Sequence, residues 1–288
     1  MHHLKRNGEY VIIFSVISME AAMEYRDFLA INGDSTLSER GISPYSFESI
    51  DSTNTLAREM TRNGRVKAPA LFLANRQTGG RGRLGRSFFS PADTGIYMTL
   101  VLDVTDGQAA SVTGLTSAAA VAVARGIRET LGMSVGIKWV NDLYHNGKKV
   151  CGILAESFLA GERRYAAVGI GINLSTDAFP EELADIAGSL CKAADKGREL
   201  TLAVCRGVYD IYGELCRGNL SYMNEYRRLS IVLGKEVTFI QNGVSYRGVA
   251  VSVSDDGALS IRNDDGGKTE LRSGEITLRL KEVSDERN

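Results

Sequence analysis

The chain is short of the residues on which most metal and hydrolytic chemistry depends. It has three histidines, two of which are His2 and His3. A His-ligated zinc site or a serine–histidine–aspartate triad would have to be built on His145, so neither is expected. The four cysteines, Cys151, Cys191, Cys205 and Cys216, contain no Cys-x-x-Cys pair and sit in apolar runs. They read as reduced core thiols of a cytoplasmic protein, not as a disulfide framework. An excess of one charge is also missing, since Lys and Arg number 34 against 35 Asp and Glu. No bulk field draws the protein to nucleic acid or to a membrane, so local charge carries the weight. Long hydrophobic runs are absent. The stretch Tyr10–Ser18 comes after Lys5 and Arg6 like a signal-peptide core, but it is too short to cross a bilayer, and Glu20 and Glu24 stand where a cleavage site needs small residues. Residues 1–43 read as an N-terminal extension without a clear structural signature or a basic recognition helix, with Met19 and Met23 as rival starts.

Local charge is concentrated in one loop. Between Ala70 and Ala92 there are four arginines, Arg76, Arg81, Arg83 and Arg86, and no acidic residue, while glycines stand at 79, 80, 82 and 85. Glycine lets a backbone approach a ligand closely, and arginine offers a permanently charged fork to phosphate or carboxylate oxygens. The stretch Thr78–Pro91 is therefore read as an anion clamp and not as a solvated hairpin. Gly80-x-Gly82-x-x-Gly85 mimics the dinucleotide fingerprint, and Gly80 to Ser87 mimics a P-loop with arginine in place of lysine. Both motifs need a helix to open directly after the glycines. Here the glycines lead instead into Ser87-Phe88-Phe89-Ser90-Pro91, which is aromatic and stopped by proline. The chain downstream has no His-Arg-Asp or Asp-Phe-Gly either, which excludes a kinase loop.

The rest of the chain alternates strands and helices. Tyr45–Ile50 reads as a strand, succeeded by cap chemistry at Asp51-Ser52-Thr53-Asn54 and a helix carrying Leu56, Ala57 and Met60 up to Gly64. Capping alone would explain Ser52, Thr53 and Asn54. Ala70–Arg76 and Gly95–Val104 are strands joined by the arginine loop, and Ser111–Leu131 is a packing helix. Val135–Trp139 is a short strand, and Asn146-Gly147 marks a hairpin that places Asp142 and Lys149 on opposite arms. Their charges either meet or project into water, and the sole tryptophan, Trp139, reads as core. Tyr165–Ser175 is a strand whose Gly169 and Gly171 signal close approach by a ligand or a backbone. Helices over Glu182–Ala187, Leu200–Arg217 and Tyr222–Leu229 come next. From Ile231 short strands separated by Asn-Gly and Asp-Gly turns indicate a small β-barrel, so the expected division is 1–43, 44–230 and 231–288.

The motifs Asp51–Asn54, Gly80–Pro91, Lys138–Tyr144, Lys149–Leu154 and Gly169–Leu174 stand in the order and spacing of the biotin–protein ligases. The chain resembles that family from Pro44 to about Arg279. The resemblance implies an α+β fold, a mixed β-sheet flanked by helices of the kind shared with class II aminoacyl-tRNA synthetases, then a small SH3-like β-barrel. It implies a cytoplasmic enzyme that activates biotin with MgATP to biotinyl-5′-AMP and passes the acyl group to a lysine of a carrier domain. By the same resemblance Arg83, Arg86, Asp142 and Lys149 are catalytic. Ser52, Thr53, Asn54, Gln77, Gly80, Arg81, Gly82, Arg83, Lys149, Gly152, Gly169 and Gly171 would bind biotin, with the last three glycines making room for its bicycle. Arg81, Arg83, Arg86, Phe88, Lys138, Asn141, Asp142, Asn173 and Phe179 would bind the nucleotide, and Asp142 would act indirectly on magnesium. Val140 replaces the usual proline and Phe88 the usual tryptophan, which removes an indole donor from the nucleotide side. Three rivals stand against it: a lipoate or octanoate ligase, which shares the architecture but lacks this form of the arginine loop and of Lys-Trp-x-Asn-Asp; a biotin-sensing repressor, for which residues 1–43 offer no convincing DNA-binding module; and a catalytically dead binding module, disfavoured because Arg81, Arg83, Asp142 and Lys149 are all present. A biotin carboxyl carrier domain is the expected partner, nucleic acid and membrane are not, and a homodimer is left open.

Overall fold

The computed structural model describes residues 3–6, 9–12, 31, 33–106, 112–191, 195–241, 243–272, 274 and 276–278. Strands β1 (His3–Arg6) and β2 (Glu9–Ile12) form an antiparallel pair. The apolar run beyond Ile12 and the helix start expected at Ser111 lie outside the described residues. In chain order there are then α1 (Ser35–Ser38), β3 (Ser43–Ile50), α2 (Thr53–Arg62), β4 (Ala70–Gln77), β5 (Gly95–Asp103) and α3 (Val112–Leu131). Next come β6 (Gly136–Lys138), β7 (Asp142–His145), β8 (Lys148–Ala160), β9 (Arg163–Asn173), α4 (Glu181–Ala184), α5 (Gly197–Cys216) and α6 (Tyr222–Leu229). The chain closes with β10 (Glu236–Gln241), β11 (Val244–Val253), β12 (Leu259–Asn263), β13 (Lys268–Leu271) and β14 (Ile276–Leu278).

Seven strands make one sheet in the order β3-β4-β5-β9-β8-β7-β6. Only the β3–β4 pair is parallel, so the sheet is mixed, as the resemblance implies. Side chains alternate across a strand with period two, and here that alternation separates packing from chemistry. Along β5, Ile96, Met98, Leu100 and Leu102 enter the main core with α3 and α5. Tyr97 and Thr99, between them, take the opposite face. The same rule on β8 and β9 sends Cys151, Ile153, Val168, Ile170 and Ile172 into that core. It leaves Gly152, Leu154, Glu156, Gly169 and Gly171 on the other side. Register then aligns these residues in rows: Thr99 pairs with Gly169 and Gly169 with Leu154, while Tyr97 pairs with Gly171 and Gly171 with Gly152. Helix α2 covers this face, with Ala57, Leu56 and Met60 packed on Phe72, Val101 and Phe158.

Ser52 caps α2, its side chain accepting from Thr55 N, and Gly64 ends the turn beyond the helix at φ +66°. Ile31 and residues 33–42 join the main body: Ile31, Leu37 and Ile42 are in the core, and Arg40 pairs with Asp210 on α5. The C-terminal unit is a five-stranded antiparallel sheet ordered β13-β12-β11-β10-β14, whose last strand has no mark of its own in the sequence. It docks on the edge of the large sheet. Ile231 N donates to Ile137 O at 3.0 Å, Trp139 Nε1 donates to Gly257 O at 2.9 Å, and Arg227 both donates to Val253 O and pairs with Asp255. Trp139 is buried, as expected of a core residue, and it also ties the two units together.

Candidate active site

The face carrying the glycine rows opens into a cleft bounded by the start of α2, the arginine loop, the β7–β8 hairpin and β9. The loop between β4 and β5 is a hairpin closed on itself. Phe88 N donates to Gly80 O at 2.8 Å and Gly82 N to Arg86 O at 2.7 Å, with Arg81 and Ser87 bridged between them. At its tip Leu84 and Gly85 take φ of +55° and +76°, the left-handed turn that lets so short a loop reverse. Arg81, Arg83 and Arg86 all line the cleft. Arg83 Nη1 donates to Asn141 Oδ1 at 3.1 Å, and Asn141 is itself held by Ile153 through Nδ2 to O and N to O contacts, each 3.0 Å.

Asp142 and Lys149 meet across the hairpin, with Nζ to Oδ1 at 2.7 Å. Of the two arrangements open from sequence, the structure selects the pair. Lys149 is fixed from behind as well: its N–H donates to Ile186 O at 2.8 Å and its carbonyl accepts from Gly188 N at 2.9 Å. The neighbouring Cys151 is no nucleophile, since burial pushes its thiol far up, outweighing the pull of Lys149.

The opposite wall is polar. Thr53 N donates to Gln77 Oε1 at 2.8 Å, Gln77 Nε2 to Ser90 Oγ at 3.0 Å, and Ser90 Oγ to Phe88 O at 2.9 Å. Asn54 Oδ1 accepts from Thr99 Oγ1 at 2.6 Å, and its Nδ2 donates to Leu154 O and Glu156 Oε2, each at 3.1 Å. Ser52, Thr53 and Asn54 are thus more than a cap. Thr99 and Glu156 are not singled out by the sequence. The one signal for Thr99 is a small hydroxyl side chain set between Met98 and Leu100 in a largely apolar strand, and Glu156 is the first acid after the apolar run of β8.

Within the chain itself, these glycines clear space for neighbouring side chains. A Cβ at Gly169 would lie 2.3 Å from Asn54 Oδ1, and one at Gly171 2.5 Å from the Phe88 ring. At Gly152 it would lie 3.1 Å from Phe88 and 3.3 Å from Lys149. They make room for Asn54, Phe88 and Lys149, the side chains that shape the cleft. Gly82 and the four residues Asn141, Asp142, Lys149 and Phe88 line it too. Four expected residues stand apart from the lining. Gly80 accepts from Phe88 N at the loop's base, Lys138 Nζ lies 5.6 Å from the Tyr144 ring, Asn173 Nδ2 donates to Gly188 O at 3.1 Å, and Phe179 packs 6.2 Å from Phe89.

The comparisons agree with this geometry. A model of the biotin/lipoate A/B protein ligase family matches residues 46–173, and one of the biotin protein ligase C-terminal domain matches residues 232–279. The bifunctional ligase/repressor BirA of Bacillus spizizenii is 35% identical over 240 residues, spanning 80% of this chain and 72% of that protein. The biotin--[acetyl-CoA-carboxylase] ligase of Mycobacterium tuberculosis is 27% identical over 218 residues, 73% of this chain and 79% of that one. Among solved structures, the biotin protein ligase from Aquifex aeolicus in complex with biotin and ATP superposes with a TM-score of 0.67 at 26% identity, over 82% of this chain and 98% of that chain.

Proposed function

The chain belongs to the biotin protein ligases, and from that membership we propose how its own residues perform the reaction. It is an ATP-dependent ligase acting on biotin and a biotin carrier protein. In the first step a carboxylate oxygen of biotin bonds to the α-phosphorus of ATP, and the bond to the leaving pyrophosphate breaks. In the second a carrier lysine amine attacks the acyl carbon of biotinyl-5′-AMP, and AMP leaves. The observation that carries the assignment of roles is that three guanidinium groups, an ion-paired lysine and three side-chain amides converge on one cleft.

Both reactants of the first step are anions, so the protein's work is to fix cations around them. Arg81, Arg83 and Arg86 hold the phosphate and the acyl-adenylate. Lys149 neutralises the carboxylate and the bridging oxygen, and Asp142 aims it. The first step needs no base, because the biotin carboxylate is already ionised; in the second the carrier lysine attacks as its neutral amine and gives up one proton as the amide forms. Ser52, Thr53, Asn54 and Gln77 address the bicycle, and amides there suit a cyclic urea better than the alkyl chain of lipoate or octanoate. Phe88 forms the wall between the two substrates. Lys138, Asn173 and Phe179 lie toward the nucleotide, with Asn173 also bracing the segment behind Lys149.

Magnesium, bound to the triphosphate, would offset its charge. Among the described residues no group of three His, Cys, Asp or Glu side chains is placed to hold a metal. Magnesium keeps several waters and uses one or two carboxylates with substrate phosphates, so Asp142 fits an indirect role. We divide the chain into a catalytic unit, 44–230, joined by Ile31 and residues 33–42, and a C-terminal unit, 231–288. None of the helices described is long and apolar enough to cross a membrane, and the four cysteines are free, which suits a cytoplasmic enzyme. Its partner is a carrier domain rather than DNA, and a gel shift with biotin, ATP and upstream DNA tests that exclusion. The central test is Arg83→Ala and Lys149→Ala. Each should fold normally yet release pyrophosphate from biotin and ATP roughly 10²–10³-fold more slowly, the usual loss when a transition-state contact is removed. Wild-type rates in both would overturn the roles.

A further inference from the structure

The polar wall continues out of the cleft, to a pair of residues that line none of it. Glu156 divides its two oxygens: Oε1 accepts from Arg58 Nη1 at 3.0 Å, and Oε2 accepts from Asn54 Nδ2 at 3.1 Å. The second hydrogen of that Nδ2 goes to the carbonyl of Leu154 at 3.1 Å. A carbonyl and an arginine-paired carboxylate can only accept, so the Asn54 amide has one permitted orientation. Both of its donors are consumed. Its Oδ1 receives the Thr99 hydroxyl at 2.6 Å on one lone pair, and the other lone pair is all that Asn54 has left to offer a ligand.

We propose that Glu156, held by Arg58, is a positioning residue that locks Asn54 as an acceptor-only group, so that the cleft recognises a ring N–H of its substrate. This rests on the biotin reading of the cleft and deepens it, since a cyclic urea supplies that N–H. Glu156 and Arg58 act at a distance from the bound molecule, through the amide alone.

The division of the carboxylate gives a specific test. Glu156→Gln keeps the shape but has one acceptor where two were used. Arg58 can only donate, so it takes the glutamine oxygen and leaves the NH₂ facing Asn54. Asn54 is then caught between that NH₂, which calls for its oxygen, and the Leu154 carbonyl, which still calls for its NH₂, so the amide loses its single orientation and its NH₂ competes with its oxygen for the place facing the cleft. The expected result is a biotin KM about tenfold higher, one good hydrogen bond being worth about that factor, at an unchanged ATP KM and unfolding temperature. Adding Arg58→Met frees the new amide to turn, so the double variant should return to within about twofold of the wild-type biotin KM. An unchanged biotin KM in Glu156→Gln overturns the proposal. So does a parallel rise in both KM values with loss of stability, which is the mark of a merely structural role. Failure of Arg58→Met to restore binding overturns it as well. Failure of the underlying biotin reading is separately visible, because the wild-type protein would then release no pyrophosphate with biotin.

Discussion

Trp139→Phe tests whether the C-terminal unit supports the chemistry from behind. Trp139 is buried and donates its indole N–H to Gly257 O at 2.9 Å, the kind of contact a buried carbonyl cannot replace with water. Phenylalanine keeps the apolar body and removes the donor. An orphaned buried carbonyl costs about 1–3 kcal/mol. Taking about 2 kcal/mol, and about 2–4 °C per kcal/mol for a protein near this size, the thermal midpoint should drop by roughly 4–8 °C. The effect should reach the cleft, because Asn141 and Asp142 lie two and three residues further on and hold Arg83 and Lys149. Thermal unfolding and the rate of pyrophosphate release are the two measurements, and both should fall while the biotin KM changes less than the rate. If the variant melts within about 1 °C of wild type and turns over normally, then the indole is ordinary filling and the two units are mechanically independent.

Gly169→Ala would place a methyl 2.3 Å from Asn54 Oδ1. Overpacking of this kind costs about 1–3 kcal/mol, and biotin titration calorimetry should show at least tenfold weaker binding; unchanged affinity would mean that Asn54 has room to yield. Glu225 on α6 pairs with Arg125 and Arg128 on α3. Burial works against its charge, but the two guanidinium groups more than offset this and hold its carboxyl below the ordinary value of 4.5. A depressed carboxylate contributes stability above its unfolded value and loses it as the pH falls through the folded one. The advantage of wild type over Glu225→Gln should therefore be at most about 1 kcal/mol at neutral pH, given the exposure of the arginines, and vanish in acid. Denaturant midpoints across the acid range check this, and a gap that widens on acidification would contradict it.

The parts of this molecule that are legible in its sequence are the local ones. Strand β8 and its hairpin announce themselves through Asn146-Gly147, so the approach of Asp142 to Lys149 needs only a turn and a register. Helix α2 is readable from its Ser52 cap and its apolar stripe, and α6 from its amphipathic pattern. The hidden parts depend on partners far along the chain. Glu156 is 102 residues from the Asn54 it orients, and Trp139 is 118 from its acceptor. Neither separation leaves a trace in spacing or periodicity. Gly169 and Gly171 are visible as glycines that admit something. That they admit Asn54 and Phe88 emerges only once the β5–β9–β8 register places them in rows beneath those side chains. Ile276–Leu278 is only three residues long, too short to show an alternation of its own, and owes its strand to pairing with β10.

The two rungs that close the arginine loop upon itself also govern how its charges move. Because Gly80 is stitched to Phe88 and Gly82 to Arg86, the segment has little internal freedom, and whatever tilts it carries Arg81, Arg83 and Arg86 as a set. On the roles proposed above, three charges carried together would respond to the summed pull of carboxylate and phosphate, not to either alone. A molecule bearing only one of those groups draws on part of that charge, so the device favours the pair of substrates over each taken singly.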